Sequence, residues 1–111
     1  MPSEVTRRSA LAEFVKRLRG QLSTSIVDLR LFGSEARGDA TPESDIDVLV
    51  VVQPDDERAR LDDRIIDIAF DVNLAFGVYI SPRVVTRAVL SDPIWRETAF
   101  VKHVSRESIP L

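Results

Sequence analysis

The chain is 111 residues long, the size of one domain, and 37 of its positions are Leu, Ile, Val or Phe, enough to specify a core. It has no cysteine and one histidine, which excludes a disulfide scaffold, thiolate catalysis and Cys-based zinc or iron–sulfur sites, and disfavours a His-rich metal centre. The net charge of −3 divides unevenly, into +3 over residues 1–37, −8 over 38–71 and +2 over 72–111, and an acidic middle is the opposite of a basic nucleic-acid-binding stripe.

The charged N-terminus has no apolar stretch behind it. The longest apolar run, Val48 to Val52, is too short to span a bilayer, so a soluble cytoplasmic protein is expected. Leu11, Phe14, Val15, Leu18 and Leu22 recur at helical spacing, with Arg7, Arg8, Glu13, Lys16, Arg17 and Arg19 on the other face. This predicts a first helix, stopped at Gly20. Val27, Leu29 and Leu31 alternate with Asp28 and Arg30, which predicts a half-buried strand ending in Phe32. Gly33-Ser34 breaks it, Glu35 to Gly38 leave room for one helical turn, and Thr41 to Ser44 read as a loop.

Ile46 to Val52 is β-branched and almost wholly apolar, as a central strand covered on both faces should be. Pro54 to Glu57 is expected to open a helix with carboxylates crowding its first turn. Leu61, Ile65, Ile68, Val72 and Phe76 share one face of that helix, and Gly77 ends it. Val78 to Val85 is the third strand, where Pro82 demands an edge, a bulge or a break. A short helix follows from Thr86, and Asp92-Pro93 should cap a last helix reaching Val104. No repeat interrupts this order, so residues 1–111 read as one small mixed α/β (α+β) domain.

The chemistry concentrates in Phe32-Gly33-Ser34-Glu35-Ala36-Arg37-Gly38 and in Ser44-Asp45-Ile46-Asp47-Val48. Asp45 and Asp47 stand two apart at the mouth of a strand, so both carboxylates project to one face while Ile46 and Val48 point into the core. Paired carboxylates repel unless a cation or a shared proton compensates, and hard oxygen ligands at this spacing suit Mg²⁺. Glycine lets the backbone approach a ligand closely, and the N–H groups of Gly33 and Ser34 with the Ser34 hydroxyl can hold phosphate oxygens. Gly33 to Gly38 mimics the start of a P-loop, but Asp39 stands where that motif needs lysine.

Gly33-Ser34, ten intervening residues and Asp45-x-Asp47 resemble the motif of the DNA polymerase β-type nucleotidyltransferases. The extended form looks most like the minimal nucleotidyltransferases, many of them antitoxins of HEPN-domain toxins. The tail Arg106-Glu107-Ser108-Ile109 resembles a family ending that usually reads Arg-Glu-Gly-Ile. The resemblance implies a truncated polymerase-β palm of three to four strands. It implies that Gly33 and Ser34 bind the terminal phosphates of an NTP, with ATP expected, and that Asp45 and Asp47 hold Mg²⁺. Arg37 would touch phosphate or pair with a loop carboxylate.

The implied reaction transfers a nucleotidyl group, AMP, to a hydroxyl, with a HEPN-domain partner or a second copy supplying the acceptor surface. The family pattern also has a third carboxylate on the strand after the long helix, and Gly77 to Val85 contains none. A catalytically weak or inactive antitoxin acting by contact is therefore the competing expectation, and a nucleotide or metal sensor a third. Elsewhere, Arg96 and His103 repeat a HEPN spacing by chance, and His103 is expected at the surface or half-buried. Trp95 is expected at a core edge, with an interface anchor as the alternative. Asp62, Asp63, Asp67 and Asp71 are expected on a solvated helix face that could also present a negative surface to a basic partner.

Overall fold

The fold was taken from a computed structural model that describes residues 2–111. Helix α1 (Glu4–Gln21) starts where the Ser3 hydroxyl accepts from the Thr6 N–H. Strand β1 (Ile26–Phe32), the single turn α2 (Ser34–Arg37) and strand β2 (Ile46–Val52) follow. Helix α3 (Arg58–Phe76) crosses over to β3 (Ile80–Thr86), and α4 (Arg87–Ser91), α5 (Ala99–Glu107) and β4 (Ile109–Pro110) complete the chain. The sheet order is β3-β2-β1-β4, with β2 parallel to β3 and the other pairs antiparallel. No helix among the described residues is long and apolar enough to cross a membrane.

Strand β2 runs inside the sheet, and its alternate residues feed two cores. Ile46, Val48, Val50 and Val52 pack into one core with Phe14 and Leu18 of α1 and Ile65 and Val72 of α3. Leu49 and Val51 pack with Val104 of α5, flanked by Phe32, Val85 and Phe100. This parity puts Asp45 and Asp47 on the α5 side, because residues two apart share a face. Pro82 lies on the edge strand β3, where a missing N–H costs no ladder bond.

Several boundaries depart from expectation for local reasons. Gly20 does not stop α1, which continues to Gln21 and closes with Leu22 N–H donating to Leu18 O at 2.9 Å. The carboxylates expected in the first turn of α3 precede it. Asp55 accepts from the Glu57 N–H at 2.7 Å in a loop, and the helix starts at Arg58. The third strand starts at Ile80, where Asn73 Oδ1 accepts from the Ile80 N–H at 2.7 Å. The last helix is split. Asp92 accepts from the N–H groups of Ile94 and Trp95 and starts only a 3₁₀ turn, Trp95–Glu97, after which Thr98 caps α5. The two-residue β4 carries no periodicity and was not expected.

An ion pair between the buried Arg7 and the half-buried Glu35 ties α1 to the α2 turn. Arg7 is 6% exposed, and its Nε donates to Glu35 Oε1 while Nη2 contacts the same oxygen without hydrogen-bond alignment. Its Nη1 also donates to Pro42 O at 3.3 Å, which holds the loop before Asp45. Breaking a buried pair leaves one charge uncompensated, whereas replacing both partners with apolar groups does not. Urea unfolding should therefore show Arg7→Ala destabilised by about 3 kcal/mol, and Arg7→Leu combined with Glu35→Leu recovering at least about half of that loss.

Candidate active site

The antiparallel register sets Phe32 directly opposite Asp47, so the next residue, Gly33, passes beside the Asp47 carboxylate. Gly33 has φ 73° and ψ −154°, a conformation essentially confined to glycine. A Cβ built there would overlap Asp47 Oδ2 and lie 3.3 Å from its Cγ. The glycine is therefore demanded twice, by its backbone angles and by the carboxylate it cradles. Ser34 opens α2 immediately beyond, and its hydroxyl makes no hydrogen bond among the described residues. Gly33, Ser34, Asp45 and Asp47 thus meet at one end of the sheet, where β1 leaves it and β2 enters.

Asp45 is exposed and Asp47 half-buried. Burial pushes the Asp47 carboxyl above the ordinary carboxylate range, and the Asp45 charge pushes it further, while Arg83 and Arg37 act against both. This is the electrostatic state that a bound cation would relieve. Strand β3 supplies no further carboxylate. Ser81 stands opposite Asp47 and Arg83 opposite Leu49, both on the face of the site. Among the described residues no cluster of three acidic, histidine or cysteine side chains could hold a metal. Asp67 and Asp71 line a depression between α1 and α3 with Arg17 and Arg64, beyond reach of the α5 face.

Arg37 pairs with Asp39 at 3.3 Å and with Glu107 at 3.2 Å, which fastens the α2 turn to the end of α5. Hydrogen bonds to Glu107 first, and then to Asp39, raise its guanidinium pKa above the ordinary arginine value. The tail continues this fastening. Arg30 Nε donates to Ser108 Oγ at 2.7 Å, and Ile109–Pro110 pair with β1. Ser108 has φ −70° and ψ 145°, ordinary extended backbone that a serine adopts without strain.

Sequence reasoning missed Arg83, Glu107 and Arg7. Arg83 was legible once the β2–β3 register is fixed, but the other two meet the site only through tertiary contacts. His103 is exposed as expected, and Trp95 is 49% exposed instead of lying at a core edge.

Gly33→Ala should destabilise the chain by about 1–3 kcal/mol from backbone conformation alone, measured by urea unfolding. Asp47→Asn should do the reverse. Because folding raises the Asp47 pKa, its charged form opposes folding. That penalty is absent below the unfolded carboxylate value and complete above the raised folded one. Thermal melts should show Asp47→Asn more stable than the parent at pH 7, with the difference vanishing near about pH 3.

Residues 8–104 match the nucleotidyltransferase domain family. Two Methanocaldococcus jannaschii proteins are similar to the chain, each bearing the name "Putative protein adenylyltransferase". MJ0604 is 36% identical over 81% of this chain and 84% of its own length, and MJ0141 is 31% identical over 89% and 96%. A solved structure titled as a putative minimal nucleotidyltransferase superposes with TM-score 0.58 at 28% identity, covering 100% of this chain and 97% of that one. A toxin–antitoxin structure with AMP-PNP, 22% identical, shares the fold at TM-score 0.55, over 89% of this chain and 69% of that one. With the Gly33-Ser34 turn held against Asp47, the chain belongs to the nucleotidyltransferase domain family.

Proposed function

We propose that residues 1–111 act as one unit that transfers AMP from Mg-ATP to a hydroxyl of a partner protein, a HEPN-domain toxin being the expected partner. The observation that carries this reading is the close approach of Gly33 to the Asp47 carboxylate, with Asp45 beside it. The adenylyltransferase names of the similar proteins support AMP as the transferred group. The AMP-PNP and toxin–antitoxin title of a structure with the same fold is consistent with a nucleotide and a protein partner.

Asp45 and Asp47 would hold Mg²⁺, which when bound supplies charge neutralisation at the phosphates. Gly33 and Ser34 would hold the β- and γ-phosphates with backbone N–H groups and the Ser34 hydroxyl. Arg37, already at the mouth, would exchange Glu107 for phosphate. The acceptor oxygen bonds to the α-phosphorus as the bond to the bridging β-phosphate oxygen breaks, and pyrophosphate leaves. The hydroxyl proton passes to water, since Ser81 and Arg83 provide no base on β3.

That missing base favours a second reading, in which the chain neutralises its partner by contact alone. Incubation with the partner, Mg²⁺ and α-labelled ATP separates the two. Label should appear on the partner, and Asp47→Asn should reduce it by about 100-fold or more, because losing a ligand costs at least as much as the roughly 10–100-fold of losing one of its outer-shell partners. Ser81→Asp places a carboxylate beside Asp47 and should raise transfer by about tenfold or more. No label on the partner, together with undiminished neutralisation by Asp47→Asn, would leave the contact reading standing.

A further inference from the structure

The acceptor needs a seat of its own, and the sheet restricts where it can be. If pyrophosphate departs over Gly33-Ser34 at the β1 side, in-line displacement requires the attacking oxygen to arrive from the opposite side, across β2 toward β3. On that side, farther along β3 than Ser81, lies a cleft of about 460 Å³ walled by Val85, Val89, Trp95 and Phe100 with Arg83 at its rim. Two features connect it to the dicarboxylate. Arg83 lies on the Asp47 face two residues past Ser81, a rise of about 6.6 Å, and its charge acts on Asp47. Phe100, on the opposite wall, packs edge-on against Phe32, the ladder partner of Asp47, with ring centroids 5.8 Å apart.

We infer that this cleft is the acceptor subsite and that it takes a hydroxyl-bearing peptide segment combining an apolar side chain with acidic residues. The inference rests on the nucleotidyltransferase reading above. Its chemistry follows from the walls. The lining is apolar, with the tryptophan half exposed. Arg58, also on the lining, is already committed, donating to Asp62 and to Val84 O. Arg83, on the lining, forms no ion pair among the described residues, and neither do Arg87 and Arg96, which are close in sequence to the lining residues Val85 and Trp95. Carboxylates on the incoming segment would complement them. A nucleic-acid acceptor fits less well. Its phosphates would have to pass Asp45 and Asp47 to reach the cleft.

Trp95 is the only tryptophan, so its fluorescence reports this cleft directly. The probe is an N-acetylated hexapeptide of two glutamates, phenylalanine, serine, leucine and glutamate. The controls are the same peptide with lysine for every glutamate, and hexa-adenylate RNA. The acidic peptide should shift Trp95 emission saturably, equally well with and without Mg-AMP-PNP, and the controls should not. Val89→Glu places an acidic side chain at the cleft and should weaken the peptide about tenfold without altering Mg-AMP-PNP binding, followed separately by thermal shift. Displacement of the peptide by Mg-AMP-PNP would show the cleft to be a nucleotide site. A saturable response to the RNA, an equal response to the lysine peptide, or none to the acidic one would also overturn the proposal. Loss of Mg-AMP-PNP binding in the parent chain with the peptide still bound would instead overturn the nucleotidyltransferase reading.

Discussion

A glycine backbone pressed against a carboxylate sets the geometry of this fold. The β1–β2 register places Phe32 against Asp47, and the next residue must then turn away within contact distance of the Asp47 side chain. Only glycine meets both the space and the angles. Once that turn is made, Ser34 starts α2 beside the dicarboxylate, and α2 needs anchoring because a four-residue helix cannot hold itself. Arg7 provides one anchor through Glu35, and Arg37 the other through Glu107. The first and last helices are therefore both fastened to the turn that forms the site.

The same arrangement holds its acidic pair at an energetic cost. Asp47 is half-buried beside Asp45, and its raised pKa records that neither burial nor its neighbour favours the charge. Strained or electrostatically unfavourable groups persist where the surroundings over-determine them, and here the core does so. Ile46 and Val48 are buried on one side of the strand and Leu49 on the other. The strand cannot slip to relieve the carboxylates without turning its apolar residues out.

The parallel pairing of β2 with β3 decides what stands beside the acidic pair. The position beside Asp47 is not empty but holds Ser81, and the next residue on that face is a cation, Arg83. The depression that holds Asp67 and Asp71 lies between α1 and α3, so helix carboxylates do not substitute. The site is a two-carboxylate site with arginines at its margins, on the same face as an apolar cleft.

The amino-acid sequence by itself determined the order of the elements, the central position of β2 and the pairing of Asp45 with Asp47 on one face. Each follows from local periodicity, or from glycine and proline at fixed points. It also carried the Gly33-Ser34 and Asp45-x-Asp47 spacing through which the family is legible. The tertiary structure decided what depends on register and distant contact. The split after Asp92 and the two-residue β4 have too little local periodicity to be read, and Arg7 with Glu35 and Arg37 with Glu107 are far apart in the chain. The charge total shows the same division. The −8 of the middle segment is visible in the sequence, and the spacing within it already sets Asp45 and Asp47 apart from the helix carboxylates. Only the fold turns that pair toward α5 and leaves Asp67 and Asp71 between α1 and α3, because a sheet has two faces and a charge count has none.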